Sequence, residues 1–399
     1  MQRLLLKLSQ LSATKQFFFV RTFYDWGIYL FDTFYMTYVF KESGDVRQVV
    51  YNILITLVTI FLGFILGSIF LSKVGVEKNL RLSFLLFIVT GLVGTYLAGI
   101  GQVSFLLISV IRGIAEGFYW ASANLIELSG LPHASRSKFY SISTAVNGVF
   151  SIVIPISLGY LLLQMNSLLP SFALFSVVCL LAALFPFRFD ISDKARLRRH
   201  KFRIILKHPK IVFFSINKIV LAAMWMLSWL LWSILPFVIL GDEFGMGIFL
   251  TISSLLGVII AYFTRSMTIE KKTKYAWPMF LLSAFAYALL LIDFSPAVLY
   301  FQSILLALTS SLVYPVEQDL AVRMSNVIDA ENEKGVEMNL FNEVLYTSAR
   351  LLIGAVVLLF IFSGADTEVT LRFIVVVFVL LQITNFLLSR RFLQLGKAR

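Results

Sequence analysis

Charged side chains recur at helical spacing inside two apolar stretches of the chain. Arg21, Asp25 and Asp32 lie in the first stretch. At 100° per residue they fall within about 40° of one another around a helix, so they form one polar stripe. Arg112 and Glu116 form a similar stripe in a later stretch. Carboxyl groups beside arginines in apolar surroundings can carry protons or hold ion pairs.

Asp25, Asp32 and Glu116 are the candidate proton-coupling residues. A charged residue in a membrane-spanning helix costs about 2.5–3.5 kcal/mol on insertion scales, so it usually faces the protein interior or a water-filled cavity. Two carboxyl groups that share a low-dielectric site resist joint ionisation, and one of them is then expected to hold a proton. The alternative is structural: these acids neutralise Arg21 and Arg112 and hold the helices together.

Depth along the helices predicts particular partners. At a rise of about 1.5 Å per residue in antiparallel helices, Asp32 lies near the depth of Arg112, which predicts an ion pair. Asp25 lies at a depth compatible with Lys218 and is its candidate partner. Arg21 falls near a helix end, where a snorkelling or gate role is expected rather than contact with a substrate.

The candidate substrate-cavity residues are mainly aromatic. Tyr119 extends the stripe of Arg112, and Trp225 and Trp229 share one helical face with Lys218. Aromatic rings with a cation at one end can stack on a flat or amphipathic organic molecule. The alternative is that these rings pack against lipid or neighbouring helices.

Two later stretches carry a proline and further charges. Pro315 lies beside Glu317, and an interior proline frees a backbone carbonyl and kinks a helix. A broken helix with an acid beside it is a candidate gate or binding element, so Glu317 is a further cavity candidate. Glu343 and Arg350 lie seven residues apart on one face of the next stretch. We interpret them as charge partners in a salt bridge to the preceding helix.

Lipid must act as the solvent for much of this chain. Hydrophobic residues make up 59% of its 399 residues and charged residues only 14%, against about 25% charged in soluble domains. A membrane-spanning helix needs roughly 20 mainly apolar residues. The sequence therefore predicts an all-α membrane protein with twelve transmembrane helices. They run near 17–40, 49–72, 80–100, 103–128, 138–164, 167–188, 211–240, 244–264, 275–292, 296–322, 338–363 and 369–389.

The basic residues predict orientation and domain organisation. With the N-terminus inside, most loop Lys and Arg residues fall on the inner side, so both termini are predicted to be cytoplasmic. Residues 188–210 form the only long, strongly charged connection. We interpret this segment as a basic cytoplasmic linker between six-helix bundles at 1–187 and 211–399. The net charge of +12 lies in such loops, so nucleic acid is not expected as a partner, although a head-group or nucleic-acid site in the linker is the alternative.

Motifs for enzymatic or ATP-driven chemistry are missing from the sequence. It contains no Gly-x-x-x-x-Gly-Lys-Ser/Thr loop, no Gly-x-Ser-x-Gly elbow and no His-Glu-x-x-His. Its one cysteine is Cys179, and its three histidines fall in polar connecting segments. We therefore expect no cofactor, no bound metal and no enzymatic activity.

Local motifs resemble those of the major facilitator superfamily. After the second segment this family has an acid, a basic residue and then a glycine, and here Ser72-Lys73-Val74-Gly75 stands in that place with Ser72 replacing the acid. In the fourth segment the family often has an arginine followed by glycine, as at Arg112. The fifth segment loosely resembles the glycine and proline pattern of the family through the glycines around Pro155. The candidate gate and motif residues are Ser72, Lys73, Gly75, Pro155 and Pro315.

The resemblance implies two bundles of the superfamily fold that rock about a central site by alternating access. It also implies that the first, fourth, seventh and tenth helices line the cavity. From the residues themselves we expect proton coupling and an amphipathic organic solute. Seven intramembrane acids against five bases favour a cationic or neutral one. Efflux is the expected direction of transport. We expect the protein to be a monomer in the lipid bilayer of the inner or plasma membrane.

Two alternatives remain. A lipid or glycolipid flippase on the same fold would need a lateral opening of the cavity. A non-transporting receptor or an intramembrane enzyme could use paired carboxylates for acid–base or metal chemistry, although the acids here are spread over several helices. Flux of a substrate without chemical change separates the first two functions from the third.

Overall fold

The computed structural model describes residues 12–99, 104–127, 133–185, 189, 211–264, 266–328 and 336–397. Twelve α-helices and no β-strand occur in these ranges. The helices are α1 Ala13–Ser43, α2 Val46–Val74, α3 Val76–Gly99, α4 Phe105–Leu125, α5 His133–Met165, α6 Leu169–Leu184, α7 Ile211–Leu240, α8 Glu243–Thr264, α9 Ile269–Ala288, α10 Pro296–Ile328, α11 Val336–Phe362 and α12 Thr367–Lys397.

Tight turns with glycine connect several of these helices. Gly44 ends α1 with φ 64°, and its N–H donates to the carbonyl of Phe40 at 2.7 Å. Asp45 then begins α2, since its carboxylate accepts a hydrogen bond from the N–H of Arg47 at 2.8 Å. A left-handed residue at the end of a helix is usually glycine, because it has no Cβ to clash. Such turns reverse the chain within a few residues.

Ten of the twelve helices are long and apolar enough to cross a membrane. Of the other two, α6 is apolar but has only 16 residues, and α1 carries three charged residues well inside its length, Arg21, Asp25 and Asp32. Each of the twelve predicted segments overlaps one helix. The all-α membrane architecture is thus confirmed, while twelve crossings and the position of the termini stay predictions.

Small residues let helices within each half of the chain pack closely. We call α1–α6 the N-terminal half and α7–α12 the C-terminal half. In the N-terminal half α2 packs along α4, and a Cβ built on Gly63 would lie only 2.5 Å from the carbonyl oxygen of Ile114. In the C-terminal half α9 packs on α10 and α12, and α7 packs on α11 and α12. Backbone approach of this kind is a common way to associate helices in lipid.

The main contacts between the two halves are those of α5 with α8, α2 with α11 and α1 with α7. Glycines bring the backbones of α5 and α8 close together. A Cβ on Gly159 would lie 2.5 Å from the carbonyl oxygen of Glu243, and a Cβ on Gly247 would lie 3.1 Å from the carbonyl carbon of Pro155. The two helices therefore cross with backbone against backbone.

The predicted linker 188–210 lies outside the described residues except for Phe189. The N–H of Phe189 donates to Glu77 Oε1 at 2.8 Å, and its ring centroid lies 6.4 Å from that of Phe17. Helix α6 ends at Leu184 and α7 begins at Ile211, on either side of this segment.

The break predicted at Pro315 is not observed. Helix α10 continues from Pro296 to Ile328 with Pro315 inside it. An interior proline removes one backbone hydrogen bond, and packing of the flanking turns can keep the helix continuous in spite of that loss. Pro155, Pro236 and Pro278 are likewise held inside continuous helices.

Candidate functional site

Arg112 on α4 bridges two carboxylates. Its Nη2 lies 2.7 Å from Oδ2 of Asp32 on α1 and 3.2 Å from Oε2 of Glu116, one turn further along α4. The side chain of Arg112 is 2% exposed, whereas those of Asp32 and Glu116 are 24% and 13% exposed. The ion pair predicted from depth is confirmed. The cation is buried while both acids keep some contact with open space.

Neutral donors also fix Glu116. Its Oε1 accepts hydrogen bonds from the hydroxyl of Tyr24 at 3.1 Å and from Nε1 of Trp120 at 3.2 Å. The Tyr24 ring stacks on Tyr119 with centroids 3.6 Å apart, and Tyr119 is fully buried. Tyr119 therefore packs inside the N-terminal half, away from any cavity surface, because Tyr24 of α1 covers the face on which the helical angle placed it.

Arg21 is the centre of a second charged cluster. Its Nε donates to Asp25 at 2.9 Å and its Nη1 donates to Glu127 at 3.0 Å. Asn147 on α5 donates to the other oxygen of Asp25 at 2.8 Å. The cluster thus joins α1 and α5 to the end of α4. Asp25 is paired within the N-terminal half, so its expected partnership with Lys218 is not what the structure shows.

The Arg112 cluster carries more acid than base. One guanidinium, that of Arg112, pairs with two carboxylates, those of Asp32 and Glu116. With all three groups ionised this cluster has one more negative than positive charge. A proton or a cationic solute bound here would reduce that excess.

Trp229 on α7 brings the C-terminal half onto Arg112. The guanidinium carbon lies 5.5 Å from the Trp229 ring and 5.0 Å from the ring of Phe31 on α1. Distances below about 6 Å allow a cation–π attraction. The Arg112 cluster therefore lies where the two halves meet.

The other tryptophans of α7 have different surroundings. Trp225 is 59% exposed. Trp232 donates from Nε1 to the hydroxyl of Tyr287 on α9 at 3.1 Å. The aromatic face predicted for α7 is thus divided between the contact with Arg112, an exposed position and the interior of the C-terminal half.

Lys218 is also held within the C-terminal half. Its Nζ donates to the hydroxyl of Tyr346 on α11 at 2.9 Å and lies 5.4 Å from the ring of Phe214. The guanidinium of Arg350 lies 5.5 Å from the same Tyr346 ring. Tyr346 therefore connects the two bases of α7 and α11.

Glu343 on α11 accepts a hydrogen bond from Thr347, one turn further along the same helix, at 3.2 Å. Its predicted charge partner Arg350 lies on the same helix. The salt bridge expected between α11 and α10 would involve Asp319 or Arg323, whose side chains lie outside the described part of the structure.

A cavity of 430 Å³ lies between α7, α8, α9, α10 and α12 and contains two of the predicted cavity residues, Trp225 and Glu317. Asn385 donates to Glu317 Oε1 at 2.6 Å. Tyr314, which is 52% exposed, also lines the cavity. The cavity therefore lies within the C-terminal half and is open at its edge.

At the Gly44 end of the molecule, polar contacts join the two halves. Lys41 donates to Glu243 Oε1 at 2.5 Å and to Asn166 Oδ1 at 2.8 Å. Deeper along α1, the hydroxyl of Thr37 donates to the carbonyl of Ser233 at 2.6 Å. Sequence reasoning missed this group, since a lysine at a helix end is typical of the charges that set orientation and nothing in the pattern pairs Lys41 with Glu243.

The motif residues lie at helix ends and crossings. Gly75 ends α2 with φ 89°, and the exposed Ser72 donates to the carbonyl of Ile69 at 2.7 Å, with Lys73 beside it. Pro155 lies at the backbone crossing of α5 and α8. Within the described ranges, no three His, Cys, Asp or Glu side chains are grouped as metal ligands.

Comparison with protein families identifies the class of protein that this architecture represents. The family model of the Major Facilitator Superfamily matches residues 17–354. The chain therefore belongs to the major facilitator superfamily, and its membership indicates a multi-pass membrane transporter rather than an enzyme. No curated protein matches the sequence.

Solved structures of similar fold agree with this assignment. The crystal structure of the peptide transporter POT superposes with a TM-score of 0.66 at 14% identity, over 95% of this chain and 94% of that one. The human organic anion transporter TETRAN gives 0.61 at 14% identity over 94% and 98%, and the E. coli fucose:proton symporter FucP gives 0.60 at 14% identity over 95% and 97%. Identities this low establish a shared fold and leave the solute open.

Proposed function

We propose that this protein is a proton-coupled secondary transporter that exports a small amphipathic organic solute, cationic or neutral, by alternating access. The observation that supports it most directly is the Arg112 cluster. Two partly exposed acids share one buried guanidinium at the contact between the halves. When a proton neutralises either acid, the remaining carboxylate and Arg112 still form an ion pair, so the site tolerates both protonation states.

The charge balance supports proton coupling and the choice of solute. At the Arg112 cluster two acids share one arginine. Excess negative charge in a low-dielectric site attracts either protons or an organic cation. Competition between the two for Asp32, Glu116 and Asp25 is a direct way to couple their movements in opposite directions, which corresponds to efflux driven by an inward proton gradient.

The contacts between the halves support alternating access. The hydrogen bonds of Lys41 and Thr37 join the halves near Gly44, the end that the predicted orientation places outside. Helix α5 also contacts α8 near that end, since a Cβ built on Gly159 would lie 2.5 Å from the carbonyl oxygen of Glu243. We interpret the two halves as six-helix bundles, and this arrangement as the state that is closed to the outside.

The experiment is solute flux in proteoliposomes with an imposed pH gradient. Ethidium is a suitable first probe because its charge is permanent, so a pH gradient does not redistribute it passively as it does a weak base. A neutral amphipathic dye is the second probe. We expect gradient-driven flux by the parent, loss of gradient dependence in Asp32→Asn and Glu116→Gln, and a partial loss in Asp25→Asn.

Glu368→Gln is the matched control. Glu368 on α12 also pairs with an arginine one turn away, Arg372, at 2.7 Å, but its side chain is 59% exposed and lies far from the clusters in the chain. It should leave flux unchanged. If Asp32→Asn, Glu116→Gln and Asp25→Asn all respond to the gradient as the parent does, proton coupling through these acids is excluded.

A further inference from the structure

The cavity inside the C-terminal half has a polar lining that the charged clusters do not explain. Its 430 Å³ falls within the range of about 300–1,000 Å³ that is typical of small-molecule sites. Five helices of the same half contribute to its walls. Transport through the cleft between the halves does not by itself require a cavity within one of them.

Several polar groups of the wall keep free acceptor lone pairs. The hydroxyls of Thr309 and Ser310 donate to carbonyl oxygens of their own helix at 3.2 and 3.3 Å. Gln382 donates from Nε2 to the hydroxyl of Ser283 at 3.4 Å. A hydroxyl that donates its hydrogen keeps acceptor lone pairs, and an amide that donates keeps its carbonyl oxygen. The wall is therefore suited to a ligand that brings hydrogen-bond donors.

Glu317 is the strongest acceptor in the cavity. The neutral amide of Asn385 donates to it at 2.6 Å. Among the described side chains, no basic group acts on Glu317 either by a salt bridge or through its electrostatic environment. A carboxylate away from water is costly unless a cation completes its environment. The missing partner would be a positively charged donor.

Aromatic rings complete the walls. Tyr287 and Phe378 lie with ring centroids 4.2 Å apart, and Trp232 donates to the Tyr287 hydroxyl. Trp225 is largely exposed at the cavity. Rings of this kind stack on a flat ligand and attract a cation through their faces.

We propose that this cavity binds a small organic cation, a protonated amine carried on a single ring. The ammonium group lies on Glu317, and the ring lies among the tryptophan, tyrosine and phenylalanine side chains. Tyr314 and Trp225 line the cavity and are more than half exposed, so they mark the side on which a ligand enters. As a statement about the transported substrate, this inference rests on the proposed function.

The test is binding of tyramine, a ring with a protonated amine, to the full-length purified protein by isothermal titration calorimetry at pH 7. We expect tyramine to bind the parent, and 4-ethylphenol, which has the same ring without the amine, to bind more weakly. Glu317→Gln removes the charge and should weaken tyramine roughly thirtyfold or more, as expected for removing one partner of a buried charge pair. It should leave 4-ethylphenol unchanged.

A second variant fills the cavity without removing any polar group. A Cβ built on Gly257, which lines the cavity, meets no atom within 4 Å. Gly257→Leu should therefore fold and should exclude both ligands. Glu368→Gln is again the control and should bind tyramine as the parent does. The proposal is overturned if the parent does not bind tyramine, or if Glu317→Gln binds it with parental affinity.

Binding in the absence of any gradient separates this inference from the proposed function. Amine binding that depends on Glu317, together with gradient-independent flux, would retain the cavity assignment and reject proton coupling. Proton-coupled flux, together with tyramine binding that is unchanged in Glu317→Gln, would retain proton coupling and reject the cavity assignment.

Discussion

Lys41 Nζ and Glu243 Oε1 lie 2.5 Å apart and join the first helix of the N-terminal half to the second helix of the C-terminal half. Glu243 is 2% exposed, and Lys41 also donates to Asn166 and lies 5.0 Å from the ring of Tyr38. One lysine side chain therefore holds three segments of the chain together at the Gly44 end.

Lys41→Met is expected to open this end of the molecule. Its loss leaves the carboxylate of Glu243 buried without a cation, which costs about 3–5 kcal/mol in the closed state and is relieved when the halves separate. The measurement is the distance between spin labels at Glu42 and Val238, in a Cys179→Ala background, which should lengthen and broaden.

Glu243→Gln removes the buried negative charge, whereas Lys41→Met leaves that charge without a cation. Glu243→Gln should therefore open the Gly44 end less than Lys41→Met. Arg372→Met is the control, because Arg372 pairs with Glu368 on its own helix and joins no two halves. An unchanged distance distribution in Lys41→Met would show that this ion pair does not hold the end closed.

Arg112→Met is expected to destabilise the folded protein severely. It leaves Asp32 and Glu116 facing each other with no cation, a loss of about 3–5 kcal/mol for a largely buried pair. Thermal unfolding in detergent should show a clear drop in midpoint. The triple variant with Asp32→Asn and Glu116→Gln should recover most of that drop, because it removes both stranded charges.

Recovery of stability without recovery of proton-linked flux in this triple variant would separate the structural role of the cluster from its proposed role in coupling. If Arg112→Met alone melts with the parent, the two acids are neutral in the folded protein and Arg112 is dispensable for stability.

Trp229→Ala is expected to weaken the contact between the halves at the cluster. The cation–π contact with Arg112 contributes about 0.5–2 kcal/mol, and Trp229→Phe should retain part of it. The thermal midpoint should therefore fall in the order parent, Phe variant, Ala variant. Trp225→Ala removes an equally large but mostly exposed ring and is the matched control. Equal midpoints for Trp229→Ala and Trp225→Ala would argue against a stabilising contact.

Ser72→Asp restores the acid that the superfamily motif usually has. It would lie near the C-terminal end of α2, where a negative charge opposes the helix dipole and costs about 0.3–1 kcal/mol. Without a partner it should lower the thermal midpoint slightly. Ser72→Asn, which is similar in shape and neutral, is the comparison. A higher midpoint for Ser72→Asp would indicate that a cation receives it.

The sequence predicted best what depends on periodicity and depth. Twelve apolar segments predicted the helices, and the angle and depth of Asp32 predicted its pairing with Arg112. The sequence could not predict contacts that depend on how each helix is rotated about its axis relative to its neighbours. Depth alone matched Asp25 with Lys218, whereas Arg21 and Asn147 already surround Asp25.

Burial of polar and aromatic faces was also hard to predict. Tyr119 shares a stripe with Arg112, but Tyr24 from another helix stacks on it and buries it. Lys41 and Glu243 lie at helix ends, where charges usually set orientation and contact water, so sequence offers no reason to pair them. Five helices form the walls of the cavity around Glu317, and no local sequence pattern predicts how five helices pack together.

The glycine crossing of α5 and α8 has a mechanical consequence. Gly159 and Gly247 leave no side chain that could rearrange where the two backbones touch. Rotation of one half against the other therefore cannot be absorbed by side chains at this crossing and must occur around it. A bulky residue at Gly247 would separate α5 from α8 at the crossing. This single substitution could therefore hold the transporter in one of its two conformations.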